Sequence, residues 1–292
     1  MNAETQYLEL LEQTISKGME KKDRTGVGTR SQFGGQLKYD IRNNTLPLIT
    51  TRRTSLRIAF YELIWMLSGS TDSNFLLDKG IKIWQGNTTR SFLDARGLDY
   101  KVGDIGPIYG FNMRHFGAEY KGCDHDYTGQ GVDQIQNALD LIRNDPNSRR
   151  INVFNHDVAN EKKGVLHACH QNFQFYVDQE KKELSCHLYV RSQDLILGHP
   201  VNIVYYSLMT HMFAKMNDMT TGDLVVSFGD VHCYNNHIET AKIQLERKPY
   251  PFPTIDILKD IKTIDDIINL SFEDIKLNDY KYHPALKYEM AI

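Results

Sequence analysis

The pieces Leu166-His167-Ala168-Cys169-His170, Val190-Arg191-Ser192-Gln193-Asp194, Gly198-His199-Pro200-Val201-Asn202 and Gly229-Asp230-Val231-His232-Cys233-Tyr234 decide how this chain reads. They place a thiol, an arginine, an amide, an imidazole and a phenol between residues 166 and 237. Runs rich in β-branched and aromatic residues flank them, and the spans 172–177, 184–191 and 224–228 read as strands. Residues 203–216 are apolar almost throughout and read as a long buried helix. The expectation is a single nucleotide site that the rest of the chain serves.

Outward from this stretch, residues 151–155 read as another strand. Residues 133–143 read as an amphipathic helix, stopped by Asn144-Asp145-Pro146-Asn147. Residues 4–19 carry Tyr7, Leu8, Leu11 and Ile15 at helical spacing, with Gly18 as a stop. A polar loop over 21–30 leads to a strand over 31–41, with a bulge or bend at Gly34-Gly35. Residues 56–68 form a second apolar helix. Short helices and loops cover 70–98, and Gly106-Pro107 marks a turn over 104–109. Strands and helices alternate without a regular βαβ rhythm, so the fold class is α+β. No internal repeat or flexible linker appears, and residues 1–292 read as a single domain.

Composition sets limits. The chain has 292 residues, 24% charged and 41% hydrophobic, with a formal net charge of -3. That is ordinary for a soluble globular protein. Without a basic excess, no DNA partner is expected, and an anionic ligand must be held by a local cluster. Cys123, Cys169, Cys186 and Cys233 form no C-x-x-C pair and no zinc-ligand spacing. A reducing compartment and no metal follow. The start of the chain lacks the basic and apolar regions of a signal peptide, and no run approaches the ~20 apolar residues of a membrane span. The expected location is cytoplasmic, with no membrane partner.

Each candidate residue has a plain alternative. Cys169 is either a nucleophile or a small buried apolar side chain. His170 is no obvious base for it, because neighbours on a strand face opposite ways. Glu62, inside the apolar helix, is either paired and working or reaching water at a helix edge. Arg149-Arg150 and Arg191-Ser192 suit a phosphate, as does Arg24 in its glycine-containing loop; a solvated basic pair is the alternative for the first. Asn202 is either a helix N-cap or an amide offering a donor and an acceptor to a base edge. His232 and Tyr234 alternate on one face, as sugar contacts or as a solvent-facing strand.

Taken together, the pieces resemble the thymidylate synthase family over nearly the whole chain. The resemblance includes Asp23-Arg24-Thr25-Gly26-Val27-Gly28-Thr29, Glu62-Leu63-Ile64-Trp65 and Gly103-Asp104-Ile105-Gly106-Pro107-Ile108-Tyr109-Gly110. It continues through Ser148-Arg149-Arg150-Ile151, Gln174-Phe175-Tyr176-Val177 and the ending Met290-Ala291-Ile292. It implies a mixed β-sheet packed by long buried helices, in a sheet-to-sheet homodimer. It implies reductive methylation of dUMP to dTMP with 5,10-methylenetetrahydrofolate as carbon donor and reductant. Cys169 matches the nucleophile that adds to uracil C6, Glu62 the carboxylate acting through water, and Tyr109 the phenol at the C5 proton. Asp194 matches a residue with both a catalytic and a folate role. Arg24, Arg191 and Ser192 match the phosphate grip, with Arg149 and Arg150 arriving from the partner subunit. Asn202 matches the reader of the uracil edge, and His232 and Tyr234 the deoxyribose contacts. Ile83, Trp84, Asn87, Leu197, Gly198 and the terminal Ile292 match the folate site. The ending at Ile292 speaks against a fused reductase.

The chain also departs from the family pattern. Leu-Pro-Pro-Cys-His, or the form with Ala for the first Pro, here reads Leu166-His167-Ala168-Cys169-His170. Ala-Trp-Asn after the double arginine reads Asn155-His156-Asp157. Val190 replaces a Gln, Val201 a Phe, Met113 a Trp and Gln85 an Asp. A wetter, reshaped site is one reading and compensated drift in a divergent synthase is the other; two further functions stay open. One is a pyrimidine hydroxymethylase, which yields 5-hydroxymethyl-dUMP and tetrahydrofolate. The other is a non-catalytic nucleotide- or RNA-binding relative, which would need neither Cys169 nor Glu62. A cytosine-specific hydroxymethylase is disfavoured by Asn202, where those relatives carry Asp.

Overall fold

A computed structural model describes residues 3–289. In chain order the elements are α1 (Ala3–Lys17), β1 (Met19–Lys21), β2 (Thr29–Asp40), α2 (Leu56–Leu67), α3 (Asn74–Asp78) and α4 (Arg90–Ala95). There follow α5 (Gly110–His115), α6 (Gln134–Asn144), β3 (Asn152–Phe154), β4 (His170–Asp178), β5 (Glu183–Asp194) and α7 (Gly198–Met216). The last are β6 (Thr220–Tyr234), α8 (Ile238–Leu245), β7 (Thr254–Ile257), α9 (Ile264–Ile268) and β8 (Ile275–Asn278).

Six strands form one mixed sheet in the order β1-β2-β6-β5-β4-β3, and β7 pairs with β8 separately. Only β5 and β6 run parallel; the other pairs in the sheet are antiparallel. The parallel pair needs a crossover, and α7 supplies it. The α+β expectation therefore holds, with one βαβ unit inside it.

Alternation along the strands explains the layers. Leu184, Cys186, Leu188 and Val190 of β5 are buried, as are Phe173, Phe175 and Val177 of β4. Their neighbours His187, Tyr189 and Tyr176 point to the open face and are exposed. On the buried side lies α7, of whose 19 residues fifteen are buried, so it has no solvent face and no polar stripe. α2 packs against α7 and brings Phe60, Leu63, Ile64 and Leu67 to the same core. Thr14 O accepts from Gly18 N at 3.0 Å, at the stop expected for α1.

Three boundaries differ from expectation. α7 begins at Gly198 rather than at residue 203, because Pro200 lies in its first turn, where its missing N–H is no loss. β6 spans 15 residues rather than the five over 224–228. Its added length pairs with β2 from Thr29↔Tyr234 to Asp40↔Asp223. The same pairing keeps its register through Gly34 and Gly35, so no bulge forms there; Gly34 only adopts φ +82°. The helix α5 had no expected counterpart.

Candidate active site

Topology brings the candidate residues to one end of the sheet. β5 and β6 are parallel, so their C-terminal ends, with Arg191, Ser192 and Asp194 on one and Asp230, His232 and Tyr234 on the other, lie together. β2 and β4 run against their neighbours, so their N-terminal ends meet the same edge. The first follows the Arg24 loop and the second follows Cys169. α7 starts there too, with Gly198 and Asn202. Ligands in such sheets gather at the carboxyl ends of parallel strands.

The result is a cavity of about 650 Å³, lined by Arg24, Cys169, Arg191, Ser192, His232 and Tyr234 among others. The structure thus gathers six of the expected site residues from four separate segments. Lys21, Lys22, Arg96, His167 and Asp230 line it as well. The sequence reading did not single these out as ligand contacts; Arg96 gave no signal, whereas Lys21-Lys22 adjoin the Arg24 loop.

That loop is pre-formed. Asp23 accepts from Thr25 N at 2.9 Å, Thr25 Oγ1 at 2.6 Å and Gly28 N at 2.8 Å. Gly28, at φ +78°, approaches Asn235 so closely that a Cβ would lie 2.7 Å from its Nδ2.

Cys169 N donates to the Tyr109 hydroxyl at 2.8 Å. Tyr109 itself has φ +47°, an uncommon conformation for a tyrosine that places its hydroxyl at Cys169. Arg191 donates to the carbonyls of Ala168 (3.0 Å) and His167 (2.8 Å), and its guanidinium lies 4.0 Å from Cys169 Sγ. Burial raises the Cys169 thiol pKa, while Arg191, the Tyr109 contact and Arg24 pull it back. Burial also holds the Tyr109 hydroxyl above its ordinary range.

His170 is buried on the opposite side, 3.2 Å from the Tyr206 hydroxyl. Burial pushes its pKa down to about 4, against a bond to Asn202 that raises it. It is a buried imidazole that bonds Tyr206 rather than Cys169, consistent with its not being an obvious base for the thiol.

Glu62 hangs from α2 and accepts from Trp84 Nε1 at 3.0 Å. Burial lifts its pKa to about 7, with the Trp84 bond opposing. Trp84 stands edge-on to Tyr109 at 5.9 Å. Glu62, Trp84, Tyr109 and Cys169 therefore form one connected row.

Asn202 sits inside α7, so the N-cap reading is wrong: the helix has already begun four residues earlier. Its Nδ2 donates to Gln193 Oε1 at 3.1 Å, which fixes the amide's orientation. Asp194 accepts from Ile196 N at 2.8 Å and Leu197 N at 3.1 Å, shaping the entry to α7. Asp230 accepts from His232 Nδ1 at 3.0 Å, Lys21 at 2.9 Å and Ser31 at 2.7 Å. Burial alone would raise its pKa, but these bonds outweigh that and hold it well below the usual range. It orients His232, whose ring is 5.3 Å from that of Tyr234.

Ile83, Leu197, Gly198 and Val201 are half-buried, and Asn87 is nearly enclosed. Arg149 and Arg150 are exposed and outside the cavity lining, so this subunit's own fold does not bring them in. Val190 faces the core rather than the cavity. Ile292 lies outside the described residues. Away from the cavity, Cys123 lies near Asp72 and Asp124, and Asp124 pairs with Lys101 at 2.9 Å.

The family model for thymidylate synthase matches residues 5–292. The chain belongs to the thymidylate synthase family. Its relatives include the thymidylate synthases of Saccharomyces cerevisiae and Homo sapiens, each 44% identical. The former match covers 99% of this chain and 97% of the yeast protein, the latter 100% and 91%. The bifunctional dihydrofolate reductase-thymidylate synthase of Leishmania major is 46% identical, and the chain spans about half its length (55%). Members of this family transfer a one-carbon unit and use methylenetetrahydrofolate as co-substrate. Among the described residues no helix is long and apolar enough to cross a membrane.

Proposed function

We propose that residues 1–292 act as one thymidylate synthase domain, converting dUMP to dTMP with 5,10-methylenetetrahydrofolate. The observation that carries this reading is the connected row from Glu62 through Trp84 and Tyr109 to Cys169 at the wall of an arginine-lined cavity. Binding alone needs no such row, and the relatives named above are synthases.

The cavity accounts for the nucleotide in parts. Arg24, Arg191 and Ser192 grip the phosphate, with charge-assisted bonds from planar guanidinium forks. His232, oriented by Asp230, and Tyr234 meet the deoxyribose hydroxyl. Asn202, oriented by Gln193, reads the uracil edge. Cys169, as thiolate, adds to C6, which makes C5 nucleophilic as the free ring is not. Phosphate held by Arg191 also brings the guanidinium and thiol into one site. Tyr109 takes the C5 proton, and Glu62, titrating near neutrality, moves protons through water at the ring O4.

The folate supplies the carbon and the hydride. Ile83, Leu197 and Val201, half-buried and apolar, with Trp84, Asn87, Asp194 and Gly198, are assigned to it as the mixed apolar and polar lining that such a ring system needs. Glu62 and Trp84 join the two halves of the site, and the ending at Ile292 is assigned to closing it.

The chain is proposed to work as a cytoplasmic homodimer. Tyr176 (69% exposed) and Tyr189 (37%) lie on the sheet's open face, an unusual place for large aromatic groups. Gln174 on that face donates to Arg149 O at 3.1 Å. A partner seated on the face can receive Arg149 and Arg150 in its phosphate grip. The reading is tested with Cys169→Ser: turnover, followed as dihydrofolate release, falls at least ~1,000-fold while dUMP binding persists. Near-normal turnover refutes it.

A further inference from the structure

Three of the residues that depart from the family pattern meet at one place beside Cys169. His156 Nε2 lies 3.6 Å from Glu161 Oε2, and His167 Nδ1 lies 3.8 Å from the same oxygen. Glu161 begins the single turn 161–163. The third, Asp157, shapes the approach to that turn: it accepts from Ala159 N at 3.0 Å and Asn160 Nδ2 at 2.7 Å. One carboxylate thus faces two imidazoles that are eleven residues apart in sequence.

We propose that His156, Glu161 and His167 form a clasp that positions the segment carrying the nucleophile. They are positioning residues: they act through the backbone of 164–169. The proposal rests on the reading of Cys169 as the nucleophile.

The segment has two fixed ends and a weak middle. Upstream, Val165 N donates to Ile105 O at 3.0 Å, and Arg96 donates to Gly164 O at 3.3 Å. Downstream, Cys169 is held by Tyr109, and Arg191 N donates to Cys169 O at 2.9 Å. Between them, the His167 carbonyl depends on the Arg191 side chain (2.8 Å), while that of Ala168 accepts from Arg191 (3.0 Å) and from Gln171 Nε2 (2.7 Å). That side chain also lines the cavity. A bound phosphate competes for its five N–H donors and draws it from the backbone. At that moment the segment needs a tether other than Arg191. Glu161 provides it: its carboxylate lies 3.8 Å from the His167 ring and 3.6 Å from that of His156. Proline immediately before the nucleophile would stiffen the backbone by fixing φ; Ala168 does not.

The test uses Glu161→Gln, which keeps the shape and removes the charge, and measures two independent quantities. In steady-state assays kcat falls about three- to tenfold, the loss expected for a partly exposed charged contact, and the KM for dUMP moves less than about twofold. In the absence of nucleotide, peptide mapping shows faster alkylation of Cys169 by iodoacetamide, with Cys123 as internal control. Adding Ala168→Pro to the Glu161→Gln chain restores most of kcat and slows alkylation again. Wild-type kcat and alkylation in Glu161→Gln overturn the clasp. So does a loss that follows a fall in melting temperature and is not recovered by Ala168→Pro. If the wild-type chain shows no turnover at all, the functional reading fails, while the alkylation result still decides the clasp.

Discussion

Glu62 is an acid held near neutrality by its surroundings. Burial in α2 raises its pKa from 4.5 to about 7, and the Trp84 N–H only partly offsets this. The sign of the consequence for stability is definite. A carboxyl with a raised folded value binds its proton more tightly in the native state, so stability is full below pH ~4.5 and declines as pH rises through ~7. Glu62→Gln removes that penalty. At pH 8 it raises stability by about 1–3 kcal/mol, toward the lower end because the side chain keeps some solvent access. It also lowers kcat about 100-fold or more. Urea melts at pH 5 and pH 8, with kcat measured alongside, check both. A variant no more stable than wild type at pH 8 would show that Glu62 is not destabilised by ionisation. Of the single residues, Cys169, Arg191 and Asn202 were visible in the sequence only as possibilities, each with an equally ordinary structural role. What bears on the choice between the roles is three-dimensional: which side of a strand, and what stands opposite. The Asn202 alternative failed because the helix begins at Gly198, and the His170 geometry held because strand neighbours diverge.

At the scale of elements, the start of α7 shows how local packing sets the site. A Cβ on Gly198 would lie 2.9 Å from Gln193 Nε2 and 3.6 Å from Asp194 Cβ. Gly198→Ala therefore leaves folding nearly unchanged, since Ala favours a helix, but pushes Gln193 away from Asn202. The KM for dUMP rises roughly fivefold, the cost of about one displaced hydrogen bond. Asp230→Asn acts at the end of β6: His232 loses its carboxylate partner, and KM rises by about the same factor. Steady-state kinetics on the two variants, with melting temperatures as control, measure this. The apolar helices were legible because periodicity and length are strong signals. The polar part of β6 was not, because its glycine and aspartate mimic a loop and only pairing with β2 and β5 makes it a strand. The helix α5 was hidden for a similar reason: it follows a turn, and Tyr109 enters it with a positive φ.

The whole molecule has an open sheet face left bare by its own helices, with Tyr176 and Tyr189 on it. On the proposed dimer, Tyr176→Asp is expected to shift the sedimentation coefficient to that of a monomer and to cost about 100-fold or more in turnover, because each proposed phosphate grip would then lack its partner's arginines. A monomer with full activity would refute the shared site. In the sequence the proposed dimer rests only on family resemblance, since exposed aromatics become a face only once strands are in register. The central claim concerns the fate of one carbon, and product identification tests it most directly. Purified protein is incubated with dUMP and 5,10-methylenetetrahydrofolate, and both the nucleotide and the folate products are identified by mass spectrometry. The account predicts dTMP with dihydrofolate; 5-hydroxymethyl-dUMP with tetrahydrofolate would contradict it.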